Sequence, residues 1–481
     1  MKTIAAAGDG PVAGQIKPAT SVRWVLTGLS LSILLSSLGT SIANVALPSL
    51  AQSFAAPFQQ IQWVVLAYLL AITTLIVSAG RLGDLVGRRR LLLTGIATFT
   101  VASVLCGAAP ALWLLIAARA VQGFGAAIMM ALAMAFIGET VAKEKTGSAM
   151  GLLGTMSAIG TALGPSLGGV LIAGFGWPAI FIVNVPLGVL AFVLAYRHLP
   201  VDARWPAGRA SFDGAGTALL ALTLAAYALA MTIGRGHFGP ANLALLMTAT
   251  VAAGLFAFAE TRVASPLIRL TMLRDTGFGT SLIMNALVST VMMATLVVGP
   301  FYLSRSLGLD AAHVGAVMAV GPVISAFSGV PAGRIVDRWG ATAVVLVGLI
   351  AMTIGAVALA AVPTGSGTVG YVAAIALLTP GYQLFQAANN TVVMADVPAD
   401  RRGVVSGMLN LSRNLGLITG ASFMGAVFAF ASAAEDVANA SPAAVETGMR
   451  ITFAVAIVLI GIALAFALRA SLTKSSRSVR K

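Results

Sequence analysis

Residues 80–90 read GRLGDLVGRRR and residues 333–340 read GRIVDRWG, so one short pattern occurs twice in the chain. The repeated positions keep their spacing at an offset of 253 positions: Gly80, Arg81, Asp84 and Gly87 return as Gly333, Arg334, Asp337 and Gly340. A second echo, offset by 256 positions, relates two later segments: Gly147, Gly151, Gly160, Gly164, Ser166 and Gly169 return as Gly403, Gly407, Gly416, Gly420, Ser422 and Gly425. The pattern therefore predicts a chain of two related halves.

The composition is that of an integral membrane protein. Hydrophobic residues make up 58% of the 481 positions, the mean hydropathy is +0.96, and only 9% of the residues are charged. A water-soluble core cannot hide so much apolar surface. Cys106 is the single cysteine, which excludes an intramolecular disulfide and a cysteine-based zinc site.

Apolar runs long enough to cross a bilayer occur fourteen times. A hydrocarbon core of about 30 Å needs roughly 20 helical residues to cross it. Spans 1 to 14 are predicted at 24–47, 61–79, 91–108, 111–137, 148–173, 177–196, 213–233, 240–259, 277–303, 312–332, 341–361, 367–394, 404–432 and 451–470. No apolar run precedes Arg23, so we expect no cleavable signal peptide.

The placement of Lys and Arg predicts the orientation of the spans, because these residues resist translocation. Of the 29 Lys and Arg residues, 24 fall in segments on the side of the two termini, and Arg235, Arg305 and Arg450 fall on the other side. Arg119 and Arg413 lie inside spans. Both termini are therefore predicted to be cytoplasmic, and the net charge of +14 is a topology signal rather than a surface for nucleic acid.

Six spans on either side of a central pair predict an all-α membrane protein of two six-helix bundles plus an inserted two-helix hairpin. Because six is even, both bundles run in the same direction, as in transporters built from parallel repeats with a substrate site between them. The predicted divisions are a cytoplasmic tail at 1–23, a first bundle at 24–200, a linker with the hairpin at 201–276, a second bundle at 277–470 and a cytoplasmic tail at 471–481.

The pattern at 80–90 falls in the predicted cytoplasmic loop between spans 2 and 3. Topology alone accounts for the arginines at 88, 89 and 90, but it accounts neither for Asp84 nor for the glycines at 80, 83 and 87. Glycine allows tight turning and close backbone approach, and a carboxylate held there can meet a helix N-terminus or an arginine. Asp84 and its counterpart Asp337, with the flanking glycines and Arg81, Arg88 and Arg334, are therefore predicted to form a duplicated cytoplasmic gate.

Seven segments, in order along the chain, carry a family resemblance. They are NVALP at 44–48, WVVLAYLL at 63–70, GRLGDLVGRRR at 80–90, RAVQGFGAA at 119–127, LGPSLGG at 163–169, FDGAG at 212–216 and ETRVASPLIRL at 260–270. Over nearly its whole length the sequence resembles the major facilitator superfamily, in particular its fourteen-span drug:proton antiporter branch. The resemblance implies the major facilitator fold, multidrug efflux by antiport and a multi-pass location in a bacterial-type inner membrane.

The resemblance also implies roles for two motifs. In the family, the arginine that matches Arg119 is linked to proton movement, and the motif that matches Gly164, Pro165, Gly168 and Gly169 marks antiporters and export. A charge inside a span costs at least about 2.5–3.5 kcal/mol on insertion scales, so we expect Arg119 to be functional or paired. A structural arginine satisfied by carbonyls and by amides such as Gln122 is the alternative.

The sequence lacks the acidic residue that usually carries the proton in this branch. Many drug exporters of this branch have an acid in span 1, five positions before the Asn of NVALP, where this chain has Gly39. None of the fifteen acidic residues lies near the middle of a predicted span. The candidates for proton coupling are therefore Arg119, Asp84, Glu139 and Asp396. The missing acid favours neutral or anionic amphiphiles over cationic substrates.

Polar residues inside spans predict the wall of a substrate cavity, because lipid-facing amides would be unsatisfied. Span 12 contains GYQLFQAANN at 381–390, and span 13 contains Arg413. The candidates for the cavity wall are Asn44, Gln122, Tyr382, Gln386, Asn389, Asn390 and Arg413. Interhelical hydrogen bonding is the alternative for the amides, and snorkelling or internal pairing is the alternative for Arg413.

We expect no catalytic residue, no metal site and no cofactor. His198, His237 and His313 are scattered, and the sequence contains neither an H-E-x-x-H motif nor a P-loop. The predicted function is secondary active export of small amphiphilic compounds by proton antiport, in a monomer whose partners are the substrate, protons and lipid. Uptake of a small metabolite and a transporter-like membrane sensor are the alternatives.

Overall fold

The computed structural model describes residues 19–141, 146–200, 213–233, 239–263, 276–362, 364–394, 402–432 and 440–478. The side chains of Arg81, Asp84 and Glu139 are outside this description, and so is the whole of Asp396. Every regular element of the described residues is helical. Fourteen helices in this part of the chain are long and apolar enough to cross a membrane.

The first six spans and the hairpin lie close to the predicted positions, except that span 2 ends seven residues later, at Val86, and span 6 begins seven residues later, at Asn184. Spans 1 to 6 are Ala19–Val45, Trp63–Val86, Arg88–Gly107, Leu112–Thr140, Thr146–Phe175 and Asn184–His198. Short helices precede span 2 at Leu47–Phe54 and Phe58–Ile61, and span 6 at Ala179–Ile182. The hairpin, spans 7 and 8, consists of Gly214–Thr232 and Pro240–Arg262.

The last six spans differ from the prediction mainly at their ends. Spans 9 to 14 are Thr276–Phe301, Ala311–Trp339, Ala341–Ala360, Gly367–Met394, Arg402–Thr419 with its continuation Gly425–Ala431, and Pro442–Ser478. π-Helical turns at Tyr302–Ser306 and Gly420–Met424 end span 9 and interrupt span 13. The fourteen spans place both ends of the array on one side of the membrane, which we call the terminal face. The other side is the opposite face.

Glycines bring the spans of each bundle together, and they do so at equivalent positions in the two bundles. A Cβ added to Gly160 would lie 2.5 Å from the carbonyl oxygen of Leu34, so spans 1 and 5 pack backbone to backbone. Gly416, its counterpart 256 positions later, faces the carbonyl oxygen of Ala286 on span 9 in the same way. Small residues are the usual means of close helix approach in membranes. The repeated glycines of the sequence therefore make equivalent packing contacts in the two bundles.

The architecture is two six-helix bundles with an inserted hairpin, as predicted. Spans 1 to 6 pack mainly on one another, and so do spans 9 to 14 except span 10, whose most extensive contact is with span 5. The bundles meet along two seams, one between spans 5 and 10 and one between spans 2 and 13. Span 7 contacts both sides of the second seam. It is held to span 2 by the hydroxyl pair Ser78 and Thr217 at 2.7 Å and by Trp63, whose Nε1 donates to Thr232 Oγ1 at 3.0 Å.

Candidate functional site

The seam between spans 5 and 10 brings two glycine backbones into contact near the opposite face. A Cβ added to Gly169 would lie 2.7 Å from the Cα atom of Gly315 and 2.7 Å from the carbonyl oxygen of Ala311. A Cβ added to Gly315 would lie 2.5 Å from the carbonyl oxygen of Pro165. No side chain can move aside to relieve such a clash, because the neighbouring atoms belong to the backbone. The contact therefore requires glycine on both spans.

The four residues of the predicted antiporter motif contact two different spans. Pro165 and Gly169 face span 10 of the other bundle, whereas Gly164 and Gly168 face span 1 of their own bundle. A Cβ added to Gly164 would collide with Ser41, and one added to Gly168 would lie 2.7 Å from Val45 Cγ1. Span 5 thus packs tightly against both bundles at the same level of the membrane.

Span 10 begins with a capped helix end beside this contact. The Asp310 carboxylate accepts a hydrogen bond of 2.9 Å from the backbone N–H of His313, and its other oxygen lies 2.7 Å from Nδ1 of the same residue. These hydrogen bonds hold the pKa of the Asp310 carboxyl below its usual value. The cap fixes the start of the helix that carries Gly315.

The seam between spans 2 and 13 is also joined near the opposite face, by an aromatic cluster. Phe58, which precedes span 2, has its ring centroid 4.8 Å from that of Phe301 and 5.7 Å from that of Phe428. Next to the cluster, Gln62 Nε2 donates a hydrogen bond of 2.8 Å to the carbonyl oxygen of Ala421. The N-terminal approach to span 2 is therefore seated on spans 9 and 13 of the second bundle.

From its middle towards the terminal face, span 10 has exposed apolar side chains. Val323, Phe327 and Val330 on span 10 are 47%, 77% and 66% exposed. A cavity of about 550 Å³ opens between the ends of spans 1 and 5, and its lining consists of Arg23, Leu26, Thr27, Ser30, Leu152 and Met156. Among the described residues, the hydrogen bond, ring contacts and close backbone approaches that join the bundles lie near the opposite face. The two bundles are therefore joined by specific contacts at the opposite face.

Arg119 is fully buried in the first bundle and is held by neutral groups. Its Nε donates to the carbonyl oxygen of Val64 at 2.8 Å, its Nη2 to that of Gly39 at 3.0 Å, and its Nη1 to Gln122 Oε1 at 2.6 Å. The guanidinium carbon lies 4.0 Å from the centroid of the Tyr68 ring, within the range of a cation–π contact. One guanidinium thus ties spans 1, 2 and 4 together.

The position of the family's span 1 acid is filled from the neighbouring span. A Cβ added to Gly39 would lie 2.7 Å from the hydroxyl oxygen of Tyr68, which itself donates to the carbonyl oxygen of Ser36 at 2.7 Å. An aspartate at position 39 would therefore require the Tyr68 ring to move. The departure from the family pattern and the tyrosine of WVVLAYLL form one local arrangement, in which a phenol and a backbone carbonyl face Arg119.

The predicted gate motif is helical rather than a loop. Span 2 continues to Val86 and span 10 to Trp339, so the turn after each copy is a single glycine. Gly87 has φ 104° and Gly340 has φ 81°, values that favour glycine. The expectation of a short loop is therefore corrected: three of the motif's four repeated positions lie in the last turns of a span, because one glycine suffices to reverse the chain.

The other described residues of the motif have packing roles or face outward. A Cβ added to Gly83 would lie 2.7 Å from Leu132 Cδ2 and 3.3 Å from Arg88 Cγ, so the stem of Arg88 covers this glycine. Arg89 donates from Nη2 to the carbonyl oxygen of Tyr196 and stacks over its ring, which joins span 3 to span 6. In the second copy, Arg334 and Asp337 are exposed at the terminal face.

The two glycines at the ends of the motif predict opposite effects of one substitution. Gly87→Ala is expected to cost about 1–3 kcal/mol, because an L-residue is strained at this backbone conformation. Gly80→Ala is the matched control, since no atom lies within 4 Å of its added Cβ, and alanine stabilises a helix interior by about 0.5–1 kcal/mol. Thermal unfolding of the purified variants measures both. A lower midpoint for Gly80→Ala than for Gly87→Ala would contradict this assignment.

The polar residues predicted to line a cavity do not share one surface. Asn44 and Gln122 are buried inside the first bundle at 1% and 0% exposure, and the Gln122 amide also donates to Ser103 Oγ at 2.7 Å. The structure therefore places these two residues in the packing of the bundle. The sequence does not distinguish a cavity-facing amide from one that satisfies a buried arginine.

The cavity candidates of the second bundle differ among themselves. Tyr382 and Gln386 are half-buried and share a hydrogen bond of 3.1 Å, and Asn390 is exposed. Asn389 is fully buried, and neither atom of its amide has a hydrogen-bond partner among the described residues. Arg413 is half-buried, with Nε lacking such a partner. Among the described residues, span 12 therefore offers the hydrogen-bonded pair Tyr382 and Gln386 and the amide of Asn389, whose two polar atoms lack partners.

The segment FDGAG has a structural explanation. Asp213 is the N-cap of span 7, where its Oδ1 accepts from the backbone N–H of Gly216 at 2.7 Å. A Cβ added to Gly216 would collide with the Asp213 carboxylate and lie 2.8 Å from Glu260 Oε1. Asp213 and Glu260 are each 4% exposed. Gly216 thus gives room for the two acids at the start of the hairpin.

Comparison with known proteins identifies the family of this architecture. Residues 29–421 match the Major Facilitator Superfamily. The chain belongs to the major facilitator superfamily. The chain is similar to the riboflavin transporter RibZ of Clostridioides difficile, with 32% identity over 85% of this chain and 88% of that protein. It is also similar to the multidrug resistance protein Stp of Mycobacterium tuberculosis, with 33% identity over 84% of this chain and 75% of that protein.

Solved structures of this superfamily share the fold. A bacterial homologue of the human lysosomal transporter Spinster matches with a TM-score of 0.69 and 16% identity, over 95% of this chain and 98% of that one. A D-xylose–proton symporter matches with a TM-score of 0.69 and 15% identity, over 93% and 97%. These structures show the fold; the family match and the relatives named for multidrug resistance and multidrug efflux show a membrane transporter of the drug:proton antiporter branch. The protein is not an enzyme.

Proposed function

We propose that this transporter exports small amphiphilic compounds from the cytoplasm by proton antiport, through alternating access. The contact between Gly169 and Gly315 is the observation that carries this proposal. Residues of the predicted antiporter motif form one side of a glycine seam between the bundles, and the close backbone contact described for this seam lies near the opposite face. A rocking transporter needs a contact that closes one side and can separate as a unit.

The charges of the described spans favour neutral or anionic substrates. Arg119 and Arg413 are charged residues within spans, and the position of the family's span 1 acid is Gly39. A cationic substrate would lack the carboxylate that normally compensates its charge in a dry site. The name of the riboflavin transporter among the relatives supports the same choice, because riboflavin is a neutral, planar amphiphile.

Proton coupling is proposed for Arg119 together with an acid near the cytoplasmic side. Arg119 has neutral acceptors in the described contacts, so it does not itself hold a carboxylate there. Asp84, Glu139 and Asp396 remain the candidates to load and release the proton. The terminal face is proposed to be cytoplasmic, because 24 of the 29 Lys and Arg residues lie on that side.

Transport into oriented proteoliposomes tests direction and coupling together. The vesicles carry an imposed pH gradient and are offered riboflavin, an anionic amphiphile and a cationic dye. We expect the neutral or anionic compound to move against the direction of proton flow, with a matching pH change in the lumen. The same vesicles without a gradient are the control. Substrate movement in the same direction as the protons would replace export by uptake, and preference for the dye would overturn the substrate class.

A further inference from the structure

The connection between spans 1 and 2 inserts one aromatic side chain into the second bundle. Phe58 is 0% exposed, and its ring meets those of Phe301 and Phe428 edge-on, at interplanar angles of 89° and 76°. Phe301 and Phe428 belong to spans 9 and 13 and lie 6.3 Å apart. The first bundle thus contributes one ring to a pocket whose other two rings belong to the second bundle.

Gln62 lies one turn further along and adds a polar contact across the same seam. It is 2% exposed, and its Nε2 donates to the carbonyl oxygen of Ala421. Gln62 Oε1 has no hydrogen-bond partner among the described residues. A Cβ added to Gly425 would collide with Gln62 Nε2, so the glycine at this position leaves room for the amide.

Irregular helix geometry occurs at both partners in the second bundle. A π-helical turn, Tyr302–Ser306, follows Phe301 directly, and another, Gly420–Met424, contains Ala421. π-Helical turns are rare and frequent at functional sites, because they shift the backbone hydrogen-bond ladder. Two such turns meeting one short connection from the other bundle mark this contact as more than ordinary packing.

We propose that Phe58 and Gln62 form the latch of the gate at the opposite face. They act as positioning residues: their contacts hold the two bundles together there and must break each time the path opens to that side. The inference rests on the alternating access of the proposed function, but on neither its substrate nor its proton coupling. Aromatic rings that interlock edge to face favour one geometry over sliding alternatives, which suits a two-state contact.

A distance measurement between the bundles tests the latch without any substrate. Spin labels are placed at Gln52→Cys and Ala443→Cys, two exposed sites at the opposite face, one in each bundle. The native Cys106 is fully buried and is replaced by serine in all variants. Double electron–electron resonance then reports the population in which the opposite face is open. Phe58→Ala is expected to raise the population with the long label-to-label distance, relative to the population with the short distance, by at least about tenfold.

Two controls separate a latch from a loss of stability. Phe453→Ala removes a ring that is 1% exposed within span 14, so it is expected to lower stability and leave the distance ratio unchanged. Gly425→Ala disturbs the latch from the second bundle, because the added methyl group collides with Gln62 Nε2. It is expected to raise the ratio of the long-distance to the short-distance population, as Phe58→Ala does. Gly461→Ala, with no atom within 4 Å of its Cβ, is its control.

The outcomes decide between the two proposals separately. If Phe58→Ala and Gly425→Ala both leave the distance ratio at the level of their controls, the latch is overturned. If Phe58→Ala does not reach the membrane, Gly425→Ala and Gln62→Ala decide alone, because each leaves the three rings in place. A shifted ratio combined with no proton-linked flux in the parent protein supports the latch and overturns the antiport.

Discussion

Gly169→Ala is expected to reduce transport by about 5- to 150-fold while leaving the protein in the membrane. The added methyl group meets the Cα atom of Gly315 and the carbonyl oxygen of Ala311, each at 2.7 Å. Overpacking costs about 1–3 kcal/mol. This cost destabilises the state in which the seam is closed, and about 1–3 kcal/mol corresponds to a change of about 5- to 150-fold in an equilibrium. Initial rates in proteoliposomes measure the loss.

The same helix offers a matched control for this substitution. Gly174 lies on span 5 as well, with no atom within 4 Å of its added Cβ, so Gly174→Ala is expected to transport normally. The spin labels at 52 and 443 give a second readout, because Gly169→Ala is expected to lengthen their separation. Equal rates for the two alanine variants would show that the backbone contact is not part of the cycle.

The amino-acid sequence predicts the membrane architecture well because its signals are local or repeated. Span length and hydropathy need no tertiary information, and the offsets of 253 and 256 positions relate the halves directly. Gly160 and Gly416 show why this works: the same glycine makes the same backbone contact in each bundle. The two halves share glycine at the positions where a Cβ atom would push two spans apart.

The candidate site is less predictable, because contacts between bundles leave no periodic signal. Phe58 and Gln62 occur in FQQIQW, a short stretch between two spans, and their partners lie more than 200 positions away. Gly315 has no motif around it, although Gly169, which touches it, has one. In each case one partner is visible in the sequence and the other is found only through the fold.

Burial also changes the interpretation of individual polar residues. Gln122 is predicted to line a cavity, yet its amide is used by Arg119 and Ser103. In the sequence, Gly39 stands where the family has an acid. In the structure, the Tyr68 hydroxyl occupies the space beside Gly39. Neither outcome follows from span positions, because both depend on which faces of spans 1, 2 and 4 meet.

Arg119→Lys is expected to abolish most transport although it keeps the charge. The guanidinium donates to acceptors on three spans, from three different nitrogens. An ammonium is a compact point charge that cannot reproduce this fork, and each buried acceptor left unsatisfied costs about 1–3 kcal/mol. Arg262→Lys is the control, because Arg262 is exposed in the last turn of span 8.

Two measurements on Arg119→Ala and Arg119→Lys distinguish a structural arginine from one that couples protons. Substrate exchange at equal pH on both sides reports binding and rocking, whereas flux driven by a pH gradient also requires coupling. If Arg119 couples protons, gradient-driven flux falls by at least about tenfold more than exchange does. If Arg119 only ties spans 1, 2 and 4 together, both rates fall equally and in step with the unfolding temperature. Equal losses would therefore remove Arg119 from the proton path and leave the acids near the terminal face as the candidates.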